Sequence, residues 1–118
     1  MTPSLHRHQS RIAPARDSRE VQYRVVGGWR GRMAQATGAT AWYDAAADTI
    51  CIPEYLADMM DSEMFAPTIT HELTHAAQRK RMGLAAYLVA KTFRRSALER
   101  EAVAEEQRAQ RLLGVSVL

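Results

Sequence analysis

The sequence predicts an α+β domain in which a small antiparallel sheet packs on three main helices. Two observations lead there. Short β-prone segments are confined to the first half of the chain, around residues 21–26, 39–43 and 49–52. From Pro67 onward the pattern is helical, in three stretches parted by Gly83 and by the junction at Arg94-Arg95-Ser96. Strands grouped ahead of helices build a sheet with helices against it rather than an alternating β/α sheet. At 118 residues and 13.2 kDa the chain has material for one core.

Each element has a local cause. Residues 1–20 are rich in Arg, Ser, Pro and His and poor in large aliphatics. They bury too little to offset ordering, so a flexible basic arm is expected there, with the folded domain over residues 21–118. His6 and His8 in that arm read as solvated rather than ligating. Val-Gln-Tyr-Arg-Val-Val at 21–26 alternates as a short strand. Gly27-Gly28 breaks it, and Trp29-Arg30-Gly31-Arg32 is assigned to a turn; Gly28, Gly31 and Gly38 fit no phosphate-loop spacing. Residues 39–43 and 49–52 pair as a hairpin around Asp44-Ala-Ala-Ala-Asp48, with Trp42 and Tyr43 lining a cleft or, more in keeping with strand aromatics, filling the core. Pro53 opens a short helix over 54–60. Asp58, Asp61 and Glu63 lack calcium-loop spacing and read as a solvated loop.

The helix that follows runs from Pro67 to Met82 and stops at Gly83, with Arg79, Lys80 and Arg81 complementing the dipole of its last turn. Residues 84–93 form an apolar helix able to pack behind it. Ser96-Ala97-Leu98-Glu99 has capping-box spacing and opens a long polar helix that ends at Leu113-Gly114. The apolar residues 115–118 are expected to dock on the domain or on a partner.

Function concentrates in the first of these helices, in His71-Glu72-Leu73-Thr74-His75. At 3.6 residues per turn, histidines four apart stand one turn above another on one face and reach a single ion. Zinc takes imidazole nitrogen at about 2.0–2.1 Å in tetrahedral sites, so Zn2+ is the expected cofactor, with His71 and His75 as ligands. Glu72 projects beside them, where it takes a proton from water that zinc acidifies from a pKa of about 15.7 to around 7. The neighbours Ile69, Thr70, Leu73, Thr74, Ala76 and Ala77 are uncharged, as a buried helix beside a metal requires. Gln78, seven residues after His71, lies near the same face and either orients a ligand or ties two helices together.

Composition narrows the remaining classes. Net charge is +3 with pI ≈ 9.4, and much of the excess lies in the arm. Nucleic acid is admitted as a partner through the arm but not indicated. Cys51 is the single cysteine, flanked by Ile50 and Ile52, and reads as a buried thiol rather than a nucleophile. No stretch approaches the ~18 apolar residues of a membrane helix, and the basic N-terminus lacks the apolar core of a signal peptide. A soluble, cytoplasmic protein with no membrane partner is expected. The oligomeric state is not encoded in any pattern found.

The 68–78 segment closely resembles the active-site helix of the zincin metallopeptidases, whose extended signature also asks for uncharged neighbours. That resemblance implies a zincin-like fold with an edge strand that binds substrate backbone, and a peptide or protein substrate. A catalytic zinc needs a third protein ligand. Glu99, 24 residues after His75, with Glu101-Ala102 behind it, resembles the gluzincin signature Glu-x-Glu-Ala-Asp, whose first glutamate is the metal ligand. The match implies Glu99 as third ligand. Helical periodicity alone leaves Glu99 and Glu101 nearly equal, since two residues turn the helix by roughly 200°. Val103 stands where the family has an aspartate that supports a ligand histidine, so another partner, such as a backbone carbonyl, is required. Some zincins also use a phenol at the oxyanion, and Tyr87 is the best-placed tyrosine downstream of the site, although packing in the core is the role its own surroundings favour. The small size resembles minimal gluzincins and the phage-associated or ImmA/IrrE-type peptidases. The activity implied is zinc-dependent peptide hydrolysis, with Glu72 as base and then acid. The rivals are a zinc-stabilised binding or regulatory module without turnover, and a metal-free helical domain whose arm binds nucleic acid.

Overall fold

The computed structural model describes residues 21–60 and 62–114. The basic arm with His6 and His8, Asp61 of the acidic loop, and the apolar segment 115–118 lie outside the described residues. The element order is β1 (Gln22–Val26), α1 (Gly28–Thr37), β2 (Trp42–Asp44), β3 (Thr49–Pro53), two 3-10 turns (Glu54–Met59 and Glu63–Phe65), α2 (Ala66–Met82), α3 (Leu84–Phe93) and α4 (Arg95–Leu113).

The sheet has the order β1-β3-β2, and it corrects the sequence expectation. β2 and β3 form the expected antiparallel hairpin, but β1 runs parallel to β3, so the sheet is mixed. A parallel pair needs a crossover rather than a tight turn. That crossover contains α1, a helix over the stretch assigned to a turn, so α2–α4 have a fourth companion. Gly31 shows why the stretch can be helical here. It is buried, and a Cβ on it would meet the carbonyl oxygen of Val26 at 2.7 Å, so glycine lets α1 lie against the end of β1.

β3 is buried along its length, with Ile50, Cys51 and Ile52 fully enclosed. Cys51 is a buried free thiol, and its sulfur accepts a hydrogen bond from Arg24 at 3.6 Å. Between β2 and β3, Asp48 adopts a left-handed conformation (φ 50°), a turn geometry that Asp tolerates better than most residues. The core joins Ile50 and Ile52 of the sheet to Phe65 and to Ile69, Leu73 and Ala76 of α2. Those three α2 positions recur at i, i+4 and i+7, a single apolar stripe.

α2 has the bounds the sequence suggests to within a residue: Pro67 sits in its first turn and Gly83 terminates it at φ 87°. Its opposite stripe, His71, His75 and Gln78, faces α4, so the helix is buried on both sides. α4 begins at Arg95, with Arg94 at the cap and no side-chain cap bond. The capping-box expectation at Ser96 is therefore corrected. The carbonyl of Arg94 already accepts from the amides of Ala97 and Leu98, which starts the helix before a Ser96 cap could act. The buried Ala102 and Ala109 leave room for α4 to approach the neighbouring helix closely. Among the described residues no helix is long and apolar enough to cross a membrane.

Candidate metal centre and cleft

The helical spacing of His71 and His75 puts their rings 5.1 Å apart, centroid to centroid, on the α4 side of α2. Glu99, in the second turn of α4, reaches both. Its Oε2 lies 3.1 Å from His71 Nε2 and its Oε1 lies 3.0 Å from His75 Nε2. Candidate ligand atoms from the three residues all fall within 4.8 Å of one another. Two atoms each about 2.0–2.1 Å from a tetrahedral ion stand roughly 3.3 Å apart, close to the separations found. Imidazole nitrogen with carboxylate oxygen is also a donor set that zinc accepts, so the residues fit the ion.

Each ring is also hydrogen-bonded on its far side, and for His75 that contact fixes the tautomer. Gln78 is fully buried, and its Nε2 donates to the carbonyl of Leu98 at 3.0 Å and to Glu101 Oε1 at 2.7 Å. With the amide nitrogen so engaged, Gln78 Oε1 faces His75 Nδ1 at 2.9 Å and must accept its proton. Glu106, two turns beyond Glu99, accepts from His71 Nδ1 at 2.6 Å. His75 thus carries Nδ1–H and directs Nε2 at Glu99, while His71 lies between two carboxylates, Glu106 at Nδ1 and Glu99 at Nε2. Burial lowers the His75 pKa, disfavouring a second proton on that ring. His75 Nε2 and the Glu99 oxygen 3.0 Å away are both acceptors when His75 is neutral and Glu99 ionised, so the pair is satisfied by a proton or a metal cation between them.

These contacts resolve three matters that the sequence leaves open. Glu99 faces the histidines, whereas Glu101 is turned away and binds Gln78 and, at 3.4 Å, Arg81. Gln78 both hydrogen-bonds His75 and ties α2 to α4. The group that hydrogen-bonds His71 Nδ1 is Glu106, a carboxylate rather than a backbone carbonyl. The sequence signal for Glu106 is its place on the stripe Glu99, Ala102, Glu106 and Ala109, whose two alanines are fully buried.

Glu72 lies beside this centre and lines a cleft of about 230 Å³ with Ala41, Trp42, Tyr43, Tyr87 and Glu99. Its carboxyl is pushed up to about 8, first by burial and then by the charges of Glu99 and Glu106; the backbone amide of Tyr43 and the charge of Lys91 pull it down. Tyr43 and Tyr87 meet edge to face at 6.3 Å, so both serve the core as well as the cleft wall. Burial pushes the Tyr87 phenol up to about 12, which keeps it a hydrogen-bond donor through the neutral range.

No protein-family model matches this chain, and no curated protein or solved structure matches it either.

Proposed function

We propose that the chain is a zinc-dependent peptidase of the gluzincin type. The observation that carries this reading is the convergence of His71 Nε2, His75 Nε2 and the Glu99 carboxylate, whose ligand atoms lie within 4.8 Å of one another at separations that a tetrahedral zinc would span. His71, His75 and Glu99 would hold zinc, and Glu106 and Gln78 would hold the rings in the ligating tautomer. Zinc bound there supplies Lewis acidity and a water of lowered pKa. The other roles belong to the protein. With a divalent cation beside it to favour its ionised form, Glu72, tied to β2 through the Tyr43 amide, would accept a proton from the water that adds to the peptide carbonyl and return it to the departing amine. Tyr87 presents a protonated hydroxyl at the cleft wall for the oxyanion. The outer edge of β2, beside Trp42, is available to pair with an extended substrate.

A zinc-stabilised binding module without turnover is favoured by one feature, the brevity of β2, which at three residues offers little edge for a substrate. One experiment separates the two. Zinc-loaded parent and Glu72→Gln are incubated with a broad peptide library and cleavage is read by mass spectrometry. Cleavage by the parent and its loss in a Glu72→Gln protein that still binds zinc is the expected result. Stoichiometric zinc with no cleavage by the parent would favour the binding module, and equal cleavage by both would refute the role of Glu72.

A further inference from the structure

The cleft carries two cations that the proposed chemistry does not use. Lys91 and Arg95 both line it, from the last turn of α3 and the first residue of α4. Both are exposed, and neither forms an ion pair among the described residues. Lys91 acts on the cleft interior nonetheless, since its charge is felt at the Glu72 carboxyl. The only acidic side chains among the cleft-lining residues are Glu72 and Glu99. A divalent ion held by Glu99 and the histidines would more than offset the Glu99 charge, leaving at most one charged carboxylate, Glu72, against the two cations.

Resting on the peptidase reading of this site, we propose that Lys91 and Arg95 select peptides that carry a carboxylate close to the bond held at the metal centre. The spacing sets how close. Lys91 lies four residues after Tyr87 on one helix, and Arg95 four residues before Glu99 on the next. Four residues of helix advance about 6 Å, roughly two residues of extended chain at about 3.3 Å each. The carboxylate therefore belongs one or two residues from the scissile carbonyl. It can come from an Asp or Glu side chain or from the peptide's own C-terminus, because a Lys and an Arg recognise the same group in both. Ala41, Trp42 and Tyr43 form the β2 side of the cleft, and none of them has a charged side chain.

The test is equilibrium binding, which does not require turnover. Zinc-loaded Glu72→Gln is titrated against fluorescent neutral peptides in which one Glu is placed at successive positions, each beside its Gln counterpart. Every peptide is made with a free C-terminal carboxylate and with an amide. The expected result is about fivefold to tenfold tighter binding when a carboxylate occupies one position, the modest size reflecting two solvent-exposed cations. Preference for Glu over Gln in the amidated series identifies a side chain; preference for acid over amide in the Gln series identifies the C-terminus. Raising salt should shrink the preference. Lys91→Gln with Arg95→Gln should remove it, and Lys91→Glu with Arg95→Glu should invert it toward a Lys-containing series. Equal affinity across the set, or no measurable binding by any peptide, would overturn the proposal. Discrimination by a protein whose parent cleaves nothing would sustain the carboxylate site while refuting the peptidase reading.

Discussion

Glu106 accepts a 2.6 Å hydrogen bond from His71 Nδ1, across 35 residues of sequence and between two helices. In the proposed gluzincin reading it would take the role of an aspartate at position 103, but from two turns beyond Glu99 rather than one. The longer glutamate side chain and the small residues Ala102 and Ala109 suit that displacement, because they allow α4 to lie close to α2. Partners of this kind commonly change metal affinity by roughly 10–100-fold. Glu106→Ala is accordingly expected to weaken zinc binding by at least about tenfold in a competitive titration, with Glu106→Gln intermediate because its amide oxygen can still accept. Parent-like affinity in Glu106→Ala would show that the hydrogen bond does not set the His71 ring.

Glu99 and Glu101 are two residues apart and face different partners. Glu99→Ala removes the carboxylate between the two imidazoles and should weaken zinc binding sharply. Glu101→Ala breaks contacts to Gln78 and Arg81 and should leave zinc affinity close to the parent value. The same titration measures both. The reverse ranking would move the third ligand to Glu101 and dissolve the resemblance at this helix.

The raised pKa of Glu72 makes the stability of chelator-treated protein depend on pH. In the unfolded chain the carboxyl releases its proton near its ordinary value of 4.5, whereas in the folded protein it holds it up to about 8. The folded state binds the extra proton, so this stabilisation is fully present below about 4.5 and is lost as pH rises through about 8. His75, whose pKa is lowered, acts in the opposite sense as pH falls below about 6.5. Melting temperatures taken from about pH 7 to about pH 9 therefore isolate Glu72. The parent should lose stability across that range more steeply than Glu72→Gln, and parallel profiles would contradict the assignment.

Gly31 tests the crossover helix. A methyl group there would press on the backbone of Val26, which cannot rotate away as a side chain would. Overpacking of this sort costs about 1–3 kcal/mol. Gly31→Ala should lower the melting temperature by several degrees despite the better helix propensity of alanine, without altering zinc affinity. A stabilised variant would mean that α1 does not lie against β1 as described.

The contrast between α1 and α2 explains how much was legible in the sequence. α2 is bracketed by Pro67 and Gly83 and carries a spaced motif, so its existence, bounds and histidine-bearing stripe could be read directly. α1 contains Gly28 and Gly31 and exposes Trp29 and Met33, which scrambles the apolar periodicity that announces a helix. Missing α1 removed the crossover, and without a crossover an antiparallel sheet was the only short-range solution. At α4 the C-terminal stop at Gly114 was legible. Its start was not, because Arg94 begins the helix through backbone geometry alone. The choice between Glu99 and Glu101 also escaped periodicity, since it depends on which face of α4 meets α2. Once that face is known, Glu99, Glu106, Ala102 and Ala109 fall into one register.

The most direct test of the central claim is metal content. Protein purified without added metal is analysed by inductively coupled plasma mass spectrometry beside His71→Ala, with circular dichroism recording the fold of each. The metal-centre account predicts close to one equivalent of zinc in the parent and almost none in His71→Ala. A folded parent that carries no zinc and takes up none on titration would contradict it.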